Sequence, residues 1–242
     1  MTQSATAIIL ARGGSKGLPG KNHALVGGQP CIQWTIDAAK LANSVAQVVV
    51  SSDDPKILEI ATSNGCVVVE RPNELAHDTA TIDSAARHAY ESIGSPEGPL
   101  VILYANVPVR PDWLIDEAVN LLTKSECDSV QSYARVGKHH PWWTVKLNED
   151  GSVLPWEGDT LYHNCFRRQD LPAASVPDGG VIALTHEALM CTLGAPDGPH
   201  AFLGNDRRGI QTIEGDVIDI DSRIDLLVAD AILKERVAHA HR

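Results

Sequence analysis

The stretch ILARGGSKGLPGKN, residues 9–22, decides how the chain is read. Apolar residues run directly into glycines at 13, 14, 17 and 20, with cations at 12, 16 and 21. A strand ending in such a loop brings backbone N–H groups and positive charge together, which is what a phosphate chain needs. Two familiar phosphate loops are excluded by spacing. A Walker A loop needs glycine where Ser15 stands and Ser or Thr where Asn22 stands. A dinucleotide fingerprint needs glycine at the place of Arg12. What remains is more specific: Gly13 and Gly14 let the backbone approach phosphate oxygens, while Arg12, Lys16 and Lys21 offset several negative charges. Three cations suit a triphosphate better than a single phosphate. Taken alone, the loop also reads as a solvated strand-to-helix connection.

Outward from the loop, short β-branched runs alternate with helix-like segments. ATAIILA, QVVVSSD, CVVVE, PLVILYA and CDSVQSYA read as strands, and CIQWTIDAAKLA as the first helix. Asp54 before Pro55 marks a helix start that Gly65 ends, residues 79–93 form another helix, and a further one starts at Pro111. The alternation predicts an α/β fold, a parallel or mostly parallel sheet with helices on both faces. Strands apolar throughout, such as LVILY, suit a sheet covered on both sides. The rhythm breaks over about 136–174, where three tryptophans and a hairpin-like NEDG point to a small β-rich insertion and an interface. It resumes with GGVIALTHEALM, GIQTIE, DVIDID and a final helix over about 222–237.

The 242 residues suit one large domain, and 43% apolar content is globular. No apolar stretch reaches the roughly 20 residues of a membrane span. A polar start followed directly by a strand does not read as a signal peptide, so a cytoplasmic protein is expected. Five cysteines are widely spaced with no CxxC pair, the pattern of reduced structural thiols. A net charge of −11 repels nucleic acid, so the cationic loop implies a small anionic ligand.

Asp219 and Asp221 of DVIDID face the same way if the strand persists, a hard-oxygen pair suited to magnesium. The competing reading is a capping box, Asp221-Ser222 with Asp225. Beside a polycationic loop the metal role is favoured, because phosphates need both. In RPNELAHDTATID, Arg71 suits a base or phosphate, and Asp78 reads as the cap of the next helix. Arg167 and Arg168 in FRRQDLP lie on a solvated face or, if buried, grip a carboxylate. His139 and His140 have no partner at metal spacing.

Together these stretches resemble the acylneuraminate cytidylyltransferases (CMP-sialic acid synthetases). That family's A-R-x-x-S-K-G-x-x-x-K-N loop is matched by Ala11, Arg12, Ser15, Lys16, Gly17, Lys21 and Asn22. Its RPxELAxDTA segment is matched from Arg71 to Ala80, its IDID from Ile218 to Asp221, and its RQxLP by RRQDLP. The resemblance implies a Rossmann-like three-layer αβα nucleotidyltransferase fold over residues 1–242, with the insertion at about 136–174 used for dimerisation. It implies CTP and an acidic sugar as partners, magnesium as cofactor and a homodimer. Arg12, Lys16 and Lys21 would hold the triphosphate with Ser15 supporting the loop. Asn22, Arg71 and backbone around Ala80 would hold the cytidine, Asp219 and Asp221 the magnesium, and Arg168 the acceptor carboxylate. CMP would pass from CTP to a hydroxyl of an α-keto sugar acid, with release of pyrophosphate.

The acceptor side departs from the pattern. The family's QPTSPLR reads YANVPVR, with Tyr104 for glutamine, Asn106 for threonine and Val107 for serine, while Pro108 and Arg110 remain. NGAIY reads DGGVI, with Asp178 for asparagine and Ile182 for tyrosine, and Ile82 stands where serine often follows DTA. Tyr104, Asn106, Arg110, Arg168 and Asp178 are therefore the expected acceptor residues. The acceptor is a sialic acid, another nonulosonic acid, a KDO-like acid or a phosphonate. A transferase for a sugar 1-phosphate would carry a G-x-G-x-R loop, which is absent. A silent nucleotide-binding module would have no need of Lys21, Asp219 and Asp221.

Overall fold

The computed structural model describes residues 4–14 and 17–240. In chain order the elements are β1 (Ala5–Leu10), β2 (Leu25–Val26), β3 (Gln29–Pro30), α1 (Cys31–Leu41), β4 (Val45–Ser52) and α2 (Pro55–Ser63). There follow β5 (Val67–Glu70), α3 (Ile82–Ser92), β6 (Leu100–Tyr104), α4 (Leu114–Ser125) and β7 (Ser129–Arg135). The remainder comprises β8 (Val145–Leu147), β9 (Val153–Pro155), β10 (Ser175–Leu184), α5 (His186–Leu189), β11 (Arg207–Thr212) and α6 (Arg223–Ala240).

Seven strands form the main sheet in the order β11-β7-β10-β6-β1-β4-β5. The β1–β4, β1–β6, β4–β5 and β7–β11 pairs are parallel, and β10 alone runs against its neighbours β6 and β7. Successive β1 residues serve opposite faces. Ala7 and Ile9 join α1, α2 and α4 in one core, while Ile8 and Leu10 join α3 and α5 in another. That makes three layers, helices on both sides of a buried sheet, as the uninterrupted apolar strands predict. A smaller core seats α6 through Ala229 and Leu233 on Val26, Val109 and Ile220. No helix among the described residues is long and apolar enough to cross a membrane.

Several boundaries differ from the sequence expectation. α3 starts at Ile82, not near residue 79, because Thr81 rather than Asp78 accepts from the Ser84 N–H and caps it. α4 starts at Leu114; residues 111–113 form a turn in which Leu114 N–H bonds Pro111 O at 3.1 Å. DVIDID is not a sheet strand. It is held by an antiparallel bridge of Ile218 to Val109, with Ile220 N–H bonded to Asn106 O at 2.8 Å.

Residues 136–174 hold less strand than their composition suggests. β8 and β9 make one short hairpin across the NEDG turn, and Gly151 supplies the positive φ of 82° there. Packing elsewhere in the segment is aromatic: Trp142 stacks on His163 at 4.7 Å, and Lys146 lies over Trp156 at 5.6 Å. The five cysteines are unpaired, and burial pushes the Cys31 thiol up to about 12.

Candidate active site

Ligands of open α/β sheets gather at the carboxyl ends of the strands, and the cationic loop leaves β1 at such an end. A cleft of about 270 Å³ opens there, lined by Arg12, Lys21, Asn22, Arg71, Ala80 and Tyr104, among others. A larger depression of about 950 Å³, around Glu97, Lys124 and His186, lies at the amino-terminal ends of β6 and β7 and away from these residues.

Each residue in the cleft is held from behind. Asn22 is 5% exposed; its Nδ2 donates to Arg12 O at 2.8 Å, leaving Oδ1 a buried acceptor without a donor among the described residues. Arg71 is also buried, with Nε and Nη2 donating to Ser51 Oγ and Ser51 O at 3.2 and 2.8 Å. Burial lowers its pKa, and the Asp53 charge opposes that shift. Arg12 pairs with Asp78 at 2.7 Å and Lys21 with Asp221 at 2.6 Å. The Gly13 N–H is occupied by Asp53 Oδ1 at 2.8 Å, and the Ala80 N–H by His77 O at 3.0 Å. A Cβ on Gly14 would meet nothing within 4 Å among the described residues. Ser15 and Lys16 lie outside the described residues.

Asp219 and Asp221 come together without a strand. Asn106 Nδ2 donates to Asp219 Oδ1 and to Ile220 O, pinning the segment. Burial, and then the Asp221 charge, push Asp219 up to about 6, with Lys21 acting the other way. The capping box is present as well: Asp225 Oδ2 accepts from Ser222 N–H and Oγ at 2.7 and 2.8 Å. Asp225 Oδ2 also accepts from the Asp221 N–H at 3.2 Å, so the cap uses Asp221 only through its backbone and leaves the Asp219 and Asp221 side-chain carboxylates outside it. No group of three or more His, Cys, Asp or Glu placed to hold a metal occurs among the described residues. Two carboxylates, one half-buried and penalised by its neighbour's charge, form an oxygen donor set that a hard divalent cation fits.

A second cleft of about 300 Å³ adjoins the first, lined by Tyr104, Gln131, Ser132, Asp178, Gly179 and Asp219, among others. Tyr104 is common to both. Asp178 is held by Gly180 N–H at 2.9 Å, Thr212 Oγ1 at 2.6 Å and Ser132 Oγ. Arg110 lines neither cleft. It is 3% exposed, beneath the cleft, with Nε on Gly180 O at 3.2 Å and Nη1 on Thr35 Oγ1 at 3.1 Å. Arg168 lines neither cleft; it lies in a separate depression with Arg135, Gly137 and Glu214. The insertion leaves β7 on that side of the sheet and takes Arg168 with it.

Asp78 escaped sequence reasoning because Asp-Thr before a helix is the ordinary cap pattern. The signal was a carboxylate in a segment that also supplies Arg71 to the same loop. Gln131 and Ser132 carried no signal beyond their place in a strand.

Comparison with known proteins bears on the family and the fold. An N-acylneuraminate cytidylyltransferase of Streptococcus agalactiae is 33% identical over 185 residues, 76% of this chain and 44% of the relative. One from Escherichia coli is 29% identical over 98% of this chain and 54% of the relative. The chain thus spans about half the length of these two relatives. A flagellin modification protein B of Campylobacter coli is 24% identical over 94% of both chains. Among solved structures, a CMP:2-keto-3-deoxy-manno-octonic acid synthetase complexed with CTP superposes with a TM-score of 0.72 at 16% identity, covering 97% of this chain and all of that one. That likeness speaks for the nucleotidyltransferase fold. Residues 6–148, more than half of the sequence, match the family model described as Cytidylyltransferase, and the chain belongs to the cytidylyltransferase family.

Proposed function

We propose that the chain transfers CMP from CTP to a hydroxyl of an acidic α-keto sugar and releases pyrophosphate. The observation that carries this reading is the pair of adjoining clefts, one cationic and one polar, with Tyr104 common to both. The relatives named N-acylneuraminate cytidylyltransferase and the fold neighbour that binds CTP support the same chemistry.

In this reading Arg12 and Lys21 exchange their carboxylate partners for phosphate oxygens. Charge-assisted hydrogen bonds then hold the triphosphate with its α-phosphorus toward the second cleft. The free Asn22 Oδ1 accepts from the nucleoside, the exocyclic amine of cytosine being a donor in place for it. Arg71, fixed by Ser51, borders the nucleoside, and backbone near Ala80 closes the wall. Magnesium would be held by Asp219 and Asp221 and would supply charge neutralisation for the phosphates. The acceptor hydroxyl attacks the α-phosphorus in line, and pyrophosphate departs opposite it. Neither nucleic acid nor membrane is a partner in this scheme.

The acceptor class is a sialic acid, a related nonulosonic acid or a KDO-like acid. We place the whole chain in one catalytic domain whose segment 136–174 joins two copies into a homodimer. Phe166, 89% exposed, and the exposed Leu147, Leu154 and Trp156 support that interface, because so much apolar surface on one segment calls for cover. Pyrophosphate release with CTP and magnesium, measured against a panel of α-keto sugar acids, tests the proposal. Release with CTP and one such acid supports it, and release only with another nucleotide overturns it.

A further inference from the structure

Tyr104 is the residue common to both clefts, and its hydroxyl makes no hydrogen bond among the described residues. Its backbone is fixed from two sides: β6 pairs it with Leu10, and its carbonyl accepts from Thr35 Oγ1 at 3.2 Å and Val107 N–H at 3.3 Å. The ring is fixed as well. A Cβ built on Gly179 would stand at ordinary contact distance from both Tyr104 Cδ2, 3.4 Å, and Asp219 Oδ2, 3.7 Å, so the ring lies packed beside that carboxylate. Asn106, two residues on, spends its amide on Asp219 and Ile220. That leaves the phenol as an uncommitted donor at the boundary.

We infer that the Tyr104 hydroxyl donates a hydrogen bond to a non-bridging oxygen of the α-phosphoryl group while that group passes from the nucleotide cleft to the acceptor cleft. The inference rests on the transfer reading above. In the step, the acceptor hydroxyl oxygen bonds to the α-phosphorus and its proton goes to solvent. The bond from phosphorus to the α,β-bridging oxygen breaks, and pyrophosphate leaves with the electron pair. Tyr104 keeps its proton throughout. An ordinary phenol is protonated across the neutral range, so it is a donor there. A donor already in place where charge develops needs no reorganisation, which makes such a contact effective in the transition state.

The test compares wild type, Tyr104→Phe and Tyr104→Gln. Pyrophosphate release is read with magnesium-CTP and a panel of α-keto sugar acids including N-acetylneuraminate, and magnesium-CTP affinity is read by calorimetry. Tyr104→Phe should lower kcat roughly 100-fold, the usual loss for one preorganised donor, with nucleotide Kd and melting temperature close to wild type. Tyr104→Gln, which keeps an N–H donor but no ring, should recover at least a tenth of the lost rate. A Phe variant within twofold of an active wild type overturns the inference alone. So does a rate loss matched by an equal loss of nucleotide affinity, or a Gln variant no faster than Phe. Silence of the wild type across the panel overturns the transfer reading and this inference with it.

Discussion

Lys21 Nζ lies 2.6 Å from Asp221 Oδ1, an ion pair joining residues 200 positions apart. The lysine side chain is 12% exposed and the carboxylate 74%, so the cation is held inside the cleft by a group that water can readily release. The pair ties the opening loop to the segment that carries Asp219. It also gives Lys21 a partner that a triphosphate can replace.

Lys21→Ala should therefore cost little stability, because a pair with so exposed a member contributes at most about 1 kcal/mol. Its effect on turnover should be larger. Loss of a charge-assisted phosphate contact costs roughly 1.5–3 kcal/mol, seen as a fall in kcat/KM for CTP of more than tenfold. A kcat/KM equal to wild type would reduce Lys21 to a partner of Asp221.

Gly17 gives a second handle on the same junction. A Cβ there would stand 2.5 Å from Asp221 O, a backbone atom that cannot turn aside. Gly17→Ala should push the loop off the carboxylate segment and weaken magnesium-CTP binding while the sheet stays intact. Calorimetry and a melting curve check this together; unaltered affinity with an unaltered melt would show that the loop is not seated on Asp221.

The charge on Asp219 has a stability consequence whose sign is fixed. Its folded pKa, about 6, is raised above the ordinary carboxylate value, so the fold binds a proton that the unfolded chain gives up. Stability is then greatest at acid pH and declines as pH rises through that window to about 6. Asp219→Asn carries no such charge. Without metal it should melt above wild type at pH 8 and converge with it near pH 4, while losing magnesium-dependent turnover. A lower melt at pH 8 would contradict the burial and repulsion argument, and full activity would remove the metal assignment.

Phe166→Asp, combined with Leu147→Lys, tests the interface. Both side chains lie open to solvent in one copy, so the single fold should tolerate the change. Sedimentation should show a wild-type dimer that the double variant converts to monomer. A monomeric wild type at micromolar concentration would refute the homodimer.

The sheet was legible because its central strands β1, β4 and β6 carry apolar residues toward both faces. Its one reversed strand was not: β10 pairs antiparallel with β6 and β7, and periodicity carries no direction. In the cleft lining, Asn22, Arg71, Arg12 and Lys21 were legible from residue type and order. Arg110 was misread because an arginine beside a pocket motif looks the same in sequence whether it faces the pocket or props it from beneath. Asp78 was misread because local capping and distant pairing with Arg12 use the same residue. Asp219 and Asp221 converge through a bridge and a side-chain clamp from Asn106, contacts between segments that no spacing rule encodes.

Pyrophosphate release with CTP, magnesium and a panel of α-keto sugar acids, run beside each other nucleoside triphosphate, tests the central claim most directly. The account expects release with CTP and at least one acid of the panel, and loss of that release in Asp219→Asn and Lys21→Ala. Release confined to another nucleotide, or turnover that survives both substitutions, would contradict it.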